Sequence, residues 1–445
     1  MTAANRVCAK NIGEAYLAGL IAKSAASVLP CSYCGSVAAT LSLEEIASRC
    51  STVLENFYEP TGLAEKVVEY GADPDGDPLN VCLEELLQST DPVVSDLSEL
   101  ILDGYECDPG ENPDPFFIRR HELGDRIGVQ WRRMSESLKN EARMFNPDAL
   151  ATLEMVFGTV GDDHTYYGQG VIQLAGPGMP LHRLHRARVL QSDESLEHAL
   201  EHPARELGPP PKGKGRAGRM NVAGVSVFYG ATTASIALAE VRPPVGSKVL
   251  SGEFEIIREL RLLDLDELSM VDTGTDMSLF DPSALEQIAR CHFLSDLTNR
   301  LTMPVMPEDE GMGYIVTQAI ADYLATNKQL NIDGIYFKSA QVPAHGHQSE
   351  GRNVVLFHKS SRVARAESIY REGMTAYLME EDEDGSRIEP CIHWNGKEPV
   401  RAVDWREQDA REVTLEVDLK SLVVREIRAV NFVAFDHEVT YVKTA

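Results

Sequence analysis

Hydrophobic and polar positions along this chain follow two rhythms, and one gives way to the other near Gly158. Over residues 42–57, 81–88, 95–102 and 129–145 the apolar side chains recur three and four apart, with acids near several starts. That spacing predicts amphipathic helices. Turn-rich windows at 71–78 and 108–115 separate them. Beyond 158 the texture becomes short β-like runs and glycine-rich turns. Residues 225–229, 334–337 and 353–357 predict strands, while 232–241, 282–297 and 316–326 predict helices, the first of them closed by Pro243. The acidic run 380–384 reads as a solvated loop, and alternation over 414–419 makes the tail β-rich. The class is α+β: a mostly α-helical accessory domain over 1–150, a mixed domain over 151–365 that holds the chemistry, and a β-rich extension over 366–445 packed on it.

A length of 445 residues exceeds what one hydrophobic core organises, which agrees with this division. With 43% hydrophobic and 25% charged residues the chain reads as globular and soluble. A formal charge of −27 argues against nucleic acid as a partner, because phosphate affinity needs surplus Lys and Arg on the contact face. An anionic ligand must therefore meet a local basic patch. The most basic short window is the loop 208–220, where three prolines are followed by Lys212, Lys214, Arg216 and Arg219 with no acid. No stretch reaches the roughly 18 uncharged apolar residues of a membrane-spanning helix. The run 15–22 lies between Glu14 and Lys23 and reads as a helix, not an export signal. Eight scattered cysteines suit a reducing, cytoplasmic setting. Cys31 and Cys34 form a C-x-x-C pair with Cys8 as the nearest third ligand; Cys50 falls inside a predicted helix. The spacing favours a thiol-containing turn, with structural zinc on Cys8, Cys31 and Cys34 as the alternative.

Gly213, Gly215 and Gly218 spell G-x-G-x-x-G, and Glu240 lies about 20 residues further on. A dinucleotide fingerprint needs a strand before the glycines and a helix starting within them. Here a triple proline precedes and a strand follows, so these residues read as a flexible basic loop. Glu240 is more informative. In the predicted helix it follows Ile236 by four residues and Thr233 by seven, on a small or apolar face, and it sits in a last turn where the helix dipole disfavours an acid. A carboxylate placed against both preferences is a site candidate. Taken singly, Arg219 reads as a solvated base and Tyr229 as a core aromatic.

Taken together, the landmarks from Leu184 to Phe357 resemble the RES domain, a family of NAD-consuming toxins. Leu184-His-Arg-Ala-Arg188 resembles the opening strand, with Arg186 at its arginine position. Gly218-Arg-Met-Asn221 resembles the family's glycine-arginine-aromatic-asparagine turn, with Met220 where an aromatic is common. Tyr229 and Glu240 follow Arg219 at the family's spacing, ten and then eleven residues along. Asp333-Gly-Ile-Tyr-Phe-Lys-Ser339 and the run 353–357 match its closing strands and serine. The N-terminal half is similar, more loosely, to a helical domain that precedes RES in some members; a second C-x-x-C there is interrupted here by Asn11.

The resemblance implies an ADP-ribosyltransferase-like split, mixed β-sheet with NAD as substrate. It implies Arg219, Tyr229, Glu240 and Ser339 as the catalytic set and Arg186, Arg219, Asn221 and Tyr229 as NAD contacts. It also implies an antitoxin protein as partner. Attack on the ribose by water or phosphate would make the enzyme an NAD glycohydrolase or phosphorylase. Attack by a protein side chain would make it a mono-ADP-ribosyltransferase. A nucleotide-binding sensor without turnover is the reading from another class.

Overall fold

The structure, a computed structural model, describes residues 5–23, 28–61, 76–90, 92–103, 115–120, 126–274, 277–302, 310–339, 351–364, 374–382, 385–394 and 409–430. The turn windows expected at 71–78 and 108–115 lie mostly outside them. The chain divides into two compact units, one of Met1–Gln130 with Asp272–Phe293 and one of Trp131–Val271 with Leu294–Ala445.

In the first unit the helical rhythm produces α1 (Ala15–Lys23), α2 (Leu43–Phe57), α3 (Leu79–Leu87) and α4 (Val93–Asp103). The start of α2 is written in its sequence. The Ser42 side chain accepts from the Glu45 backbone N–H while the Glu45 carboxylate accepts from that of Ser42, a reciprocal capping box. The periodic face of α2, with Ile46, Val53, Leu54 and Phe57, is buried with Leu83, Leu87 and Leu97 of α3 and α4. The unit is less purely helical than its periodicity predicts. Strands β1 (Arg6–Cys8), β2 (Val28–Pro30) and β3 (Val37–Ser42) form one sheet, and β4 (Tyr58–Thr61), β5 (Asp77–Pro78) and β6 (Phe116–Arg119) another. Most of these strands are too short for a period of two to stand out in sequence. The helix predicted over 129–145 runs from Arg126 to Asn140.

The second unit is built on an eight-stranded sheet. Its members are β7 (Ile172–Ala175), β8 (Arg183–Leu190), β9 (Phe228–Ala231), β10 (Lys248–Ile256), β11 (Leu260–Asp264), β12 (Gly334–Lys338), β13 (Arg352–Leu356) and, after a hairpin of β14 (Met374–Asp382) and β15 (Gly385–Trp394), β16 (Leu415–Glu426). The order is β16-β10-β8-β9-β13-β12-β11-β7. Only β11 and β12 run parallel, so the sheet is mixed and the class is α+β, as the sequence predicts. Strand β8 pairs with β10 from Arg183 to Leu190 but meets β9 at a single rung, His185 opposite Ala231. The sheet is split there. One face packs Leu184, Phe228, Leu250, Phe254 and Val354 into a core, with Phe228 and Phe254 edge-to-face at 5.0 Å. Helices α5 (Pro147–Phe157), α6 (Asp193–Glu201), α7 (Ala234–Glu240) and α8 (Ile315–Thr326) complete the frame used below.

Three local expectations are corrected. The strand expected over 225–229 begins only at Phe228, because the Asn221 amide donates to the carbonyls of Arg216, Val222 and Val225, binding that stretch into a loop instead of a ladder. The helix expected from 232 starts at Ala234, with Thr233 as its cap. The acidic run expected as a loop is largely strand: Glu380, Glu381 and Asp382 pair with Arg387, Ser386 and Gly385 across the hairpin. The last two residues of the run lie outside the described residues. No helix among the described residues is long and apolar enough to cross a membrane.

Asp333, which opens the D-G-I-Y-F-K-S motif, acts as a tie in this frame. Its carboxylate is buried and accepts from the Arg258 guanidinium at 3.2 Å, the Arg261 backbone N–H at 3.0 Å and the Ser360 hydroxyl. Breaking a buried pair strands the remaining charge. Asp333→Ala should therefore lower unfolding free energy by about 3 kcal/mol in urea titration. An unchanged midpoint would show that the tie contributes nothing to stability.

Candidate active site

The loop that follows α6 turns back on itself at Gly218, which forms an isolated antiparallel bridge with Asn221. A side chain at 218 would come within 2.7 Å of both Asn221 Oδ1 and the Tyr229 hydroxyl, so the approach admits only glycine. The turn is held from the other side by α8. Gln318 Nε2 donates to the Gly218 carbonyl at 2.8 Å and the Thr317 hydroxyl to that of Arg219. The Arg219 guanidinium donates to the Leu301 carbonyl at 3.1 Å and lies 5.9 Å from the Tyr314 ring centre. Tyr229 is 38% exposed, but its hydroxyl is turned inward. It donates to Asn221 Oδ1 at 2.9 Å and accepts from the Met220 N–H at 3.1 Å. Burial pushes that phenol up to about 12, so it stays protonated at neutral pH and presents a ring, not a base. Asn221 is 3% exposed and spends its side chain on the loop and on Tyr229, which places it behind the ring.

Glu240 is the last residue of α7. Thr233 caps that helix, and its buried face, Ile236 and Ala237, packs on Ala187, Ala231 and Val249 of the sheet. The carboxylate follows on the face of Ile236. Two donors meet its Oε1: the Ser339 hydroxyl, just past the end of β12, and Asn353 Nδ2 of β13, each at 2.7 Å. These bonds offset the unfavourable carboxylate at a helix C-terminus. Among the described residues Oε2 has no hydrogen-bond partner.

These groups line one cleft of about 420 Å³, opened where β8 and β9 part. Arg186, Arg219, Tyr229, Glu240 and Asn353 face it; Ser339 reaches it through Glu240 and Asn221 through Tyr229. Arg186 is its most telling member. The guanidinium lies 4.9 Å from the Phe228 ring centre, and its Nη1 is buried with no partner among the described residues. Burial, then the nearby Arg188, pulls it down to about 10, so it keeps its charge at neutral pH. A buried cation without a carboxylate is expensive, and a bound anion would satisfy it. The buried Asn353 Oδ1 is also unpartnered among the described residues.

The thiols of Cys8, Cys31 and Cys34 belong to the first unit, not to this cleft. Their sulfurs lie within 4.8 Å of one another, with Cys8 and Cys34 at 3.5 Å. Burial raises Cys31, but the N–H groups of Cys34 and Tyr33 outweigh it and bring the thiol down to about 6. Asn11 Nδ2 donates to the same sulfur at 3.4 Å. Cys50 is apart from the cluster, fully buried in the core of its unit and pushed up to about 12. One thiol from the end of β1 and two from the turn 31–34 fit three of the four ligands of a structural zinc.

Sequence reasoning missed several residues of the cleft. Asn353 carried a signal, as the one polar residue in an otherwise apolar strand run. Tyr314, Thr317 and Gln318 carried none, since each acts on a turn some 95 to 100 residues away. Arg242 lines the cleft with its backbone in the left-handed region at φ 43, a strain that sequence does not reveal. No curated protein and no solved structure matches the chain. Residues 181–377, a stretch that holds every residue named around the cleft, match the family model described as the RES domain.

Proposed function

We propose that the second unit cleaves the nicotinamide–ribose bond of NAD, as a glycohydrolase or phosphorylase, and acts as a growth-inhibiting toxin held in check by an antitoxin. RES domains are associated with NAD-acting enzymes and with toxin–antitoxin pairs. The observation that carries the reading is the Glu240 clasp in the same cleft as the unpartnered Arg186 guanidinium. As nicotinamide leaves, the ribose becomes an oxocarbenium-like cation. Glu240, with Oε1 fixed by Ser339 and Asn353, holds Oε2 ready to stabilise that charge without reorganising. Arg186 and Arg219 neutralise the diphosphate with forked donors, and Tyr229 offers a flat face to nicotinamide or its ribose. Asn221 fixes Tyr229 and the loop beside the ligand. Ser339 donates to Glu240 and orients that carboxylate; it is not cast as a nucleophile, because the carboxylate it meets is the one assigned to the developing cation. The split of the sheet between β8 and β9 supports an ADP-ribosyltransferase-like fold for residues 151–365.

The same geometry would serve a mono-ADP-ribosyltransferase if a protein side chain replaced water or phosphate; a nucleotide sensor would not need a clasped carboxylate beside an anionic ligand. Counting nicotinamide release against transfer of label from NAD to protein separates the three. In the first unit, Cys8, Cys31 and Cys34 are proposed as ligands of a structural zinc, supported by the convergence of their sulfurs.

Glu240→Gln keeps the size of the side chain and an oxygen for Ser339 and Asn353 but removes the charge. Turnover should fall about 100- to 1000-fold while calorimetry finds NAD binding largely preserved, as for a contact made mainly in the transition state. Near-normal nicotinamide release would remove Glu240 from the mechanism. Salt separates the basic residues. Lys212, Lys214 and Arg216 are exposed, whereas Arg219 is half-buried and anchored. Neutralising the first three should weaken NAD capture only at low ionic strength, and Arg219→Ala at every salt concentration. Equal salt sensitivity would make Arg219 a steering charge. For the thiols, full-length protein dialysed against a mild chelator should retain zinc in metal analysis and Cys31→Ser should not; a zinc-free wild type would end that proposal.

A further inference from the structure

Helix α6 ends in His198-Ala-Leu-Glu201-His202, and this segment plays no part in the cleft chemistry. Histidines four apart on a helix share a face, and the residue between them at the third position shares it too. In the structure the two imidazole centres are 4.9 Å apart, and one ligand atom from each of His198, Glu201 and His202 lies within 4.8 Å of the others. A zinc-class ion with bonds of about 2.0–2.2 Å would bring such atoms slightly closer, within reach of side-chain rotation. The helix ends at Glu201, with His202 as its non-helical C-cap at φ −132 and ψ 53 and Pro203 following.

A fourth side chain, a second carboxylate, stands beside the cluster. Glu206, on the single turn Pro203–Glu206, places Oε1 3.6 Å from His198 Nε2 and 3.7 Å from Arg205 Nε, while Arg188 of β8 holds its other oxygen, so Glu206 is already balanced by two arginines and is not counted as a ligand. The Ala376 backbone N–H of β14 donates to Glu201 Oε1 at 3.4 Å, which fixes that carboxylate from behind. The His198 side chain is 53% exposed, leaving a path from solvent.

We propose that His198, Glu201 and His202 form a binding site for a divalent first-row transition cation. Two imidazoles and a carboxylate select the zinc, nickel, copper and cobalt class over calcium and magnesium, which favour oxygen alone. The H-x-x-E-H order also occurs in zinc hydrolases, where the glutamate is a base and not a ligand. Here the carboxylate lies within 4.8 Å of both imidazoles, close enough to join them on one ion, so it is cast as a ligand. A cation here fastens the end of α6 at the point where the chain enters the basic loop leading to Arg219. The site is independent of the NAD reading and of the thiols.

The test is titration of the full-length protein with cobalt(II) alone. Wild type should take up one equivalent whose absorption lacks a thiolate-to-cobalt charge-transfer band, distinct from any taken up by Cys8, Cys31 and Cys34. His198→Ala and His202→Ala should each weaken that equivalent by at least about tenfold, with Glu201→Gln weakening it less and the thiolate band unchanged throughout. In the wild type, cobalt should broaden the ring proton signals of two of the twelve histidines first, a readout that needs no variant to fold. Unaltered affinity in both histidine variants, uptake showing only the thiolate band, or uniform broadening of all histidines would each overturn the site.

Discussion

Strands β8 and β9 lie side by side in the sheet yet share one rung, His185 with Ala231. A strand that leaves its neighbour after a single pair exposes backbone and side chains that a continuous ladder would bury. The chain uses that opening. Arg186 points into it from one strand and Tyr229 from the other, while α7 spans the gap above them and brings Glu240 to its rim. Were β8 and β9 fully zipped, the 420 Å³ cleft would not form.

The electrostatics of the cleft follow from the same opening. The chain carries a formal charge of −27, yet the cleft gathers Arg186, Arg219 and Arg242 around one carboxylate. Among the described residues Arg186 has no carboxylate to neutralise it, unlike Arg352, which pairs with Asp264 and Asp266 elsewhere in the sheet. The contrast separates an arginine spent on carboxylates from one with a donor left over. Glu240 is constrained in a different way: its Oε1 accepts from Asn353 of β13 and from Ser339 just past the end of β12, so the carboxylate is fixed relative to the sheet and not merely to its own helix. Each group is held by an element other than the one that carries it, an arrangement suited to charge stabilisation without reorganisation.

Part of this arrangement is legible in the order of residues alone. The start of α2 is, because a capping box is a local event: Ser42 and Glu45 act within three residues. Strands β12 and β13 are, because buried strands read as apolar runs. Glu240 is, because an acid on an apolar face at a helix C-terminus breaks two local rules at once. The strand boundary near Val225 is not, since only the folded Asn221 side chain shows which carbonyls it satisfies.

What the sequence determined by itself was therefore the class, the elements with strong local signals, and the charged and aromatic residue types that the cleft brings together. What only tertiary structure decided was their company. That Ser339 and Asn353 both meet Oε1, that Gln318 and Thr317 hold the arginine turn, that Tyr229 turns its hydroxyl away from the cleft and that Nη1 of Arg186 is buried there without a partner among the described residues all depend on contacts between residues distant in sequence. Periodicity and capping act within a turn or two of chain, whereas a partner in a sheet is set by strand order and register, which no local pattern encodes.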